Sequence, residues 1–203
     1  MCQALKKRLG LKDERELQVR ITRRFAAFLK SRGKEAQAWD ETLSSDMPDN
    51  LVMQLWRDPK DGCRAAEAGV DVVLSPVDWC YFSIPQGIEN DPFQYLDEGG
   101  RTITLEKAHA FDPFAGMSAA AAKHIRGIEC CTWGEMTWNW YDFGWKMWPR
   151  AFATAETAWS GPRRTDYADF YRRVKPLRDA WAAEFVNPAP VPPPRGLTEP
   201  IGR

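Results

Sequence analysis

Four short apolar runs, separated by helical stretches, each close on an aromatic residue beside polar ones. They end at Trp39 (AQAWDE), Trp56 (VMQLWR), Tyr81 (DVVLSPVDWCYFS) and Trp133 (IECCTWGE). Parallel strands need a crossover connection, and a helix is the usual one, so a chain that alternates helix and short apolar strand is constrained to βα units and a parallel sheet. In parallel β/α barrels the ligand site lies where strands end and the following loops begin. Rings at such a rim suit a flat, hydroxylated ligand such as a sugar, whose C–H face packs on an indole while its hydroxyls need nearby carboxylates.

The pattern along the chain fills in the units. Asp13 followed by Glu16 is a capping-box start. Leu17, Ile21, Phe25, Phe28 and Leu29 recur at helical spacing and Gly33 supplies the stop, which predicts a helix over residues 13–32. A strand ends at Trp39, and Leu51 to Trp56 is the next, after a loop with Pro48 and Asn50. Asp61 to Ala68 reads as a helix stopped by Gly69, and Val70 to Leu74 as a strand running into Pro76. Residues 84–116, with Pro85, Pro92 and Pro113, read as a long loop over the sheet that includes one short helix from Thr104 to Ala110; such loops are commonly functional. Ala119 to His124 reads as helical and Gly127 to Thr132 as the fourth strand. Trp145 to Ser160 reads as one buried helix. Asp166 to Phe185 reads as an amphipathic helix with Phe170, Val174, Leu177 and Trp181 on one face. After Val186 the chain is proline-rich (NPAPVPPPRG), which predicts an extended, disordered tail. The organisation expected is one catalytic-type domain over residues 1–185 and a tail over 186–203.

Composition removes several function classes. The 28 basic and 28 acidic residues cancel, so no bulk charge directs the chain to nucleic acid or to an anionic membrane. No apolar run reaches membrane-spanning length. The five cysteines (Cys2, Cys63, Cys80, Cys130, Cys131) contain no C-x-x-C pair, and with only His109 and His124 no metal-ligand spacing can be assembled. Buried, reduced thiols are the favoured reading over a redox role for Cys130 and Cys131. No cofactor is implied. No glycine-rich phosphate loop is present, and neither histidine lies in a recognisable Ser-His-Asp motif.

A single strand-end tryptophan is more often packing than ligand contact, and ten tryptophans in 203 residues include core residues. Four aromatics at four successive strand ends, two of them flanked by acids, favour a pocket. On that reading Trp39, Trp56 and Trp133 wrap a sugar ring, Tyr81 donates a hydrogen bond to a substrate carbonyl or carboxylate, and Glu135 accepts from hydroxyls. A non-catalytic carbohydrate-binding module, or a scaffold whose tryptophans all pack in the core, would show the same composition.

Five segments in unbroken order resemble glycoside hydrolase family 20, the β-N-acetylhexosaminidases: Arg24–Glu41 (R-x-x-x-F-L-x-x-x-G-K-x-x-x-x-W-D-E), Leu51–Arg57, Leu74–Phe82 (L-S-P-x-x-x-C-Y-F), Gly127–Glu135 (G-I-E-x-x-x-W-G-E) and Trp148–Ser160 (W-P-R-A-x-A-x-A-E-x-A-W-S). The resemblance covers roughly residues 1–185. It implies an α/β fold, the C-terminal half of a (β/α)8 TIM barrel with strands five to eight. It also implies release of terminal β-linked N-acetylglucosamine or N-acetylgalactosamine with retention, the substrate's own 2-acetamido oxygen acting as nucleophile. Carried over by position, Trp39, Trp56 and Trp133 box the acetamide and the sugar face. Tyr81 hydrogen-bonds the acetamide oxygen, and Glu135 binds the hydroxyls at C4 and C6. The partner implied is an N-acetylhexosaminide oligosaccharide or glycoconjugate, and relatives are usually periplasmic, secreted or lysosomal.

The sequence departs from that family in two places. The acid/base pair belongs to an H-x-G-G-D-E motif that these 203 residues do not contain; Asp40-Glu41 follows the fifth-strand tryptophan and is a different pair. Many members also carry Asp two residues after the tyrosine, where this chain has Ser83, so one sugar hydroxyl is expected to be held by a weaker, uncharged bond. A complete barrel has eight strands and about 250 residues. The chain is therefore expected to be part of a longer product, needing the other half of the barrel, with unpaired first and last strands and apolar surface beside them. Alone it is expected to be inactive and prone to aggregate.

Overall fold

The apolar runs form parallel strands, with helices before the first and between the second and third, and a 3-10 turn after the first. The computed structural model describes residues 2–42, 48–93, 100–184, 186–192 and 194. They belong to two compact units, Met1–Leu74 with Gly116–Gly127 and Ser75–Ala115 with Ile128–Arg203.

In the first unit the strands β1 (Ala36–Trp39), β2 (Leu51–Leu55), β3 (Val72–Leu74) and β4 (Ile125–Ile128) form a sheet in that order. β1 and β2 are parallel with Ala36 opposite Leu51, and β2 and β3 are parallel with Met53 opposite Val72. All five residues of β2 are buried, which is why this strand reads as a continuous apolar run rather than an alternating one. Its one polar residue, Gln54, accepts from Gln37 Nε2 at 2.6 Å and so is not left unpaired. Helices α1 (Cys2–Leu9) and α2 (Glu14–Lys30) precede the sheet, and α3 (Pro59–Glu67) connects β2 to β3. Asp13 caps α2 by accepting from the Glu16 N–H at 3.0 Å. α3 begins two residues earlier than the sequence predicts, because Asp58 caps it through the Lys60 N–H and Pro59 fits its first turn. Gly62 lets α3 approach the sheet: a Cβ there would lie 3.0 Å from Leu55 and 3.1 Å from Leu74.

The apolar face of α2 departs from expectation. Ala26 is buried against Ala36 and Leu51, with Leu29 packed beside them. Ile21, Phe25 and Phe28 are exposed, Phe25 by 65%. The Arg32 guanidinium lies 5.1 Å from the Phe28 ring centroid, but among the described residues this face is not buried, although its periodicity is that of a core-facing helix. The stretch Ala119–His124 is a 3-10 turn, Ala121–His124, rather than an α-helix. β4 lies two residues ahead of the predicted strand and ends at Ile128. His124 and the Arg126 side chain of β4 both bind Asp71, the latter through Nε at 2.8 Å, and Arg126 also reaches Glu35.

In the second unit, α4 (Val77–Cys80), α5 (Leu105–Ala110), α6 (Trp140–Met147), α7 (Arg150–Ser160) and α8 (Tyr167–Ala183) surround a core that includes Phe82, Ile103, Leu105, Ala153, Phe170 and Val174. The short helix expected from Thr104 to Ala110 is present as α5, with Thr104 capping it through the Lys107 N–H at 3.0 Å. The single helix expected over 145–160 is two. Pro149 lacks the N–H and disfavours helical backbone before it, so α6 stops at Met147 and α7 starts after the proline. Nor are these helices buried throughout: Trp140 and Trp159 stand in solvent, while the charged Lys146 and Arg150 are inside. On α8, Phe170 and Val174 are buried and Trp181 packs on Trp148 and Phe152, but Leu177 is 48% exposed.

The segment after Phe185 is extended but not loose over Val186–Pro192. Ala189 is fully buried and donates to the Trp148 carbonyl at 3.0 Å. Arg178 donates to the carbonyls of Ala189 and Pro188, both at 3.0 Å. Gly144 of α6 makes room for the Val186 carbonyl, into which a Cβ would run. These bonds join residues far apart in sequence, so the proline content alone did not show them. Residue 193 and residues 195–203 of the predicted tail lie outside the described residues.

Candidate functional site

The candidate rings divide two and two between the units. In the first, Trp39 is the last residue of β1, opposite Gln54, and Trp56 directly follows β2. Both are partly buried. The loops after them are tied together. Asp40 is fully buried and accepts from Arg57 Nε at 3.2 Å and from the Arg57 N–H at 3.4 Å. The Trp56 indole N–H donates to Glu41 at 2.9 Å. Asp40 and Glu41 are thus engaged in fixing the two aromatic strand ends, Asp40 with no solvent contact.

In the second unit, Tyr81 does not close a strand. β3 stops at Leu74, Pro76 starts the turn of α4, and Tyr81 comes after it. Tyr81 pairs instead with Cys131 in a single parallel bridge, flanked by Cys131 N–H to Cys80 carbonyl at 2.8 Å and Phe82 N–H to Cys131 carbonyl at 2.7 Å. The predicted strand over 127–132 is therefore split between β4 and this bridge, because the α4 turn interrupts its neighbour. Trp133, two residues past the bridge, comes to rest beside Tyr81: the ring centroids are 5.5 Å apart and the planes tilted by 59°. A 3-10 turn, Gly134–Met136, then carries Glu135 into solvent. Ser83, two residues after Tyr81, is buried.

The thiols behind this surface are protonated. Burial pushes Cys80 well above the ordinary thiol value, raises Cys130, and raises Cys131 to about 11. Thiolate character is what makes a cysteine reactive, so the geometry supports packing rather than redox chemistry for the Cys130-Cys131 pair.

Sequence periodicity did not indicate the groups that brace the second unit. Asp91 is buried and accepts from the N–H groups of Gln86 at 2.7 Å and Phe93 at 3.0 Å, and from the Trp145 indole at 3.3 Å. Lys146 is buried with its ammonium 4.3 Å from the Phe93 ring centroid and bonded to the Met136 carbonyl. Arg150 is entirely enclosed. The only sequence signal for Arg150 is its place in the W-P-R-A run that carried the family resemblance.

The model of glycosyl hydrolase family 20, catalytic domain, matches residues 1–162. A β-hexosaminidase of Porphyromonas gingivalis is 29% identical over 176 residues, which are 86% of this chain and 22% of that protein. A β-hexosaminidase of Vibrio furnissii is 31% identical over 157 residues, 76% of this chain and 25% of that protein. Among solved structures, the family 20 exo-β-N-acetylglucosaminidase of Vibrio harveyi, in complex with N-acetylglucosamine, superposes with a TM-score of 0.78 at 27% identity, over 93% of this chain and 30% of that one. The chain thus spans about a quarter of the length of these curated relatives.

Proposed function

The chain belongs to glycosyl hydrolase family 20, and from that premise we propose that it supplies the sugar-binding half of a β-N-acetylhexosaminidase site. The domain is residues 1–185, the C-terminal half of the barrel with strands five to eight, and residues 186–203 are its tail. The substrate is a terminal, non-reducing, β-linked N-acetylhexosamine on an oligosaccharide or glycoconjugate.

Trp39, Trp56 and Trp133 pack on the acetamide and on the sugar face. The Tyr81 phenol donates to the acetamide oxygen and aims it at the anomeric carbon, so that attack is intramolecular. That oxygen forms a bond to C1 as the glycosidic C1–O bond breaks. The departing oxygen takes the bonding pair and a proton from an acid group. Water then adds at C1, opens the oxazolinium ring and returns a proton, giving net hydrolysis with retention. Glu135 accepts from the hydroxyls at C4 and C6. The 203 residues carry no H-x-G-G-D-E run, so no residue here is assigned the acid role, and the isolated chain is expected to be inactive.

The observation that carries this reading is the Tyr81–Trp133 pair with the solvent-facing carboxylate of Glu135 two residues on. A donor and a flat apolar face side by side are what an N-acetyl group requires, since it presents a carbonyl and a methyl together. The test is hydrolysis of an aryl N-acetyl-β-glucosaminide by the full gene product, including any sequence encoded upstream of Met1. Activity that falls about 100-fold in Tyr81→Phe supports the reading, by analogy with removal of one oriented donor from a catalytic site. An inactive full product, or one indifferent to Tyr81→Phe, removes it.

A further inference from the structure

Lys146 and Arg150 lie four residues apart on either side of the Trp148-Pro149 break, near the end of α6 and at the start of α7, and both are buried. A buried charge is costly unless every donor is met. Here each donor that bonds does so to a main-chain carbonyl. The Arg150 guanidinium donates to Phe82 at 2.6 Å, Ile84 at 2.8 Å and Ile103 at 3.0 Å, and twice to Lys146, at 2.7 and 3.2 Å. Its carbon lies 4.6 Å from the centroid of the Phe82 ring. Lys146 in turn donates to the Met136 carbonyl.

The identity of those carbonyls is the point. Phe82 follows Tyr81 directly and Ile84 is three residues past it, and Met136 follows Glu135 directly. Loop carbonyls need partners wherever they are buried, and a water or a serine would satisfy one. A guanidinium engaging four at once fixes their spacing, because its donors form a rigid fork. Since Lys146 both holds Met136 and accepts from Arg150, the two loops are joined through the junction of α6 and α7. We infer that Lys146 and Arg150 are positioning residues, which set the Tyr81 phenol and the Glu135 carboxylate at a fixed separation for the sugar. This inference rests on the role proposed above for Tyr81 and Glu135.

The experiment is a double-mutant cycle on the full gene product with an aryl N-acetyl-β-glucosaminide: wild type, Arg150→Met, Tyr81→Phe and the double variant, with Arg150→Lys alongside and a thermal melt of each. If Arg150 acts through Tyr81, Arg150→Met lowers kcat about 100-fold, the scale of a misplaced group. Arg150→Lys recovers part of that loss, and in the Tyr81→Phe background the Arg150→Met change costs less than about 3-fold. Equal losses in both backgrounds overturn the inference and leave Arg150 a stability element. Should Arg150→Met fail to fold, Arg150→Lys with and without Tyr81→Phe gives the same comparison. Tyr81→Phe without effect overturns both the inference and the function from which it was drawn, whereas a damaging Tyr81→Phe with additive losses overturns the inference alone. Lys146→Met against Glu135→Gln repeats the test for the second loop.

Discussion

The Tyr81 and Trp133 rings meet at 5.5 Å because the Tyr81–Cys131 bridge places their backbones in register, two residues short of the indole. A ring pair of this kind contributes roughly 1 kcal/mol beyond its area. Trp133→Ala should therefore lower stability by more than that amount, because the indole's buried area is lost too, and weaken N-acetylglucosamine binding at least 10-fold, read by calorimetric titration. A loss of stability with sugar affinity unchanged would make Trp133 a packing residue only.

Arg57 is the test of the first unit. Asp40 has no solvent contact, and the Arg57 guanidinium donates to it at 3.2 Å. Removing one member of a buried pair costs about 3–5 kcal/mol, but the arginine is nearly half exposed and water relieves part of that. Arg57→Ala should cost about 1–2 kcal/mol in chemical unfolding, while Asp40→Asn in the same background should recover part of the loss.

Gly144 is set by a close approach rather than by a turn. A methyl there would strike the Val186 carbonyl. Gly144→Ala should undock Val186–Pro192 and cost about 1–3 kcal/mol, the range for overpacking. Faster hydrogen exchange at the Ala189 amide, which bonds to Trp148, would show it directly. An unchanged Ala189 amide would mean that the segment can shift without losing its hold.

His109 gives the second unit a pH dependence. It is buried on α5, stacked 4.5 Å from Phe170, and its Nε2 has no bonding partner among the described residues. Burial, followed by the Arg164 charge, lowers its pKa from the ordinary 6.5. The unfolded chain therefore takes up the proton first. The contribution to stability is complete above about pH 6.5 and is lost as the pH falls from there to the depressed folded value. His109→Phe, which keeps a ring on Phe170, should flatten the melting temperature between pH 6.5 and 5. Equal slopes in both proteins would assign the acid sensitivity to another group.

How much of this was legible in the sequence depends on range. Asp13 and Glu16 lie three residues apart and mark the start of α2, and the largely apolar run of β2, broken only by Gln54, reports burial on both faces; each is local information. The exposure of Phe25 was not readable, because periodicity shows that a face is apolar and not that anything covers it. Pro149 is visible, but the aromatic residues before it and the alanines after it carry an apolar pattern across it, so two helices read as one. For the candidate site, the aromatic and acidic residue types were legible, while the bracing was not. Nothing local singles out Arg150 and Lys146, and their bracing depends on carbonyls of Phe82, Ile84, Ile103 and Met136 that only the folded chain brings within reach.

The central claim is that the acetamide of the substrate is the nucleophile and that Tyr81 aims it. Proton NMR of the first product released by the full gene product, from paired aryl β-glycosides with and without the 2-acetamido group, tests this most directly. The expected result is β-configured N-acetylglucosamine as the first anomer, no cleavage of the plain glucoside, and a Tyr81→Phe loss confined to the acetamido substrate. Comparable cleavage of both glycosides, or the α anomer appearing first, would contradict it.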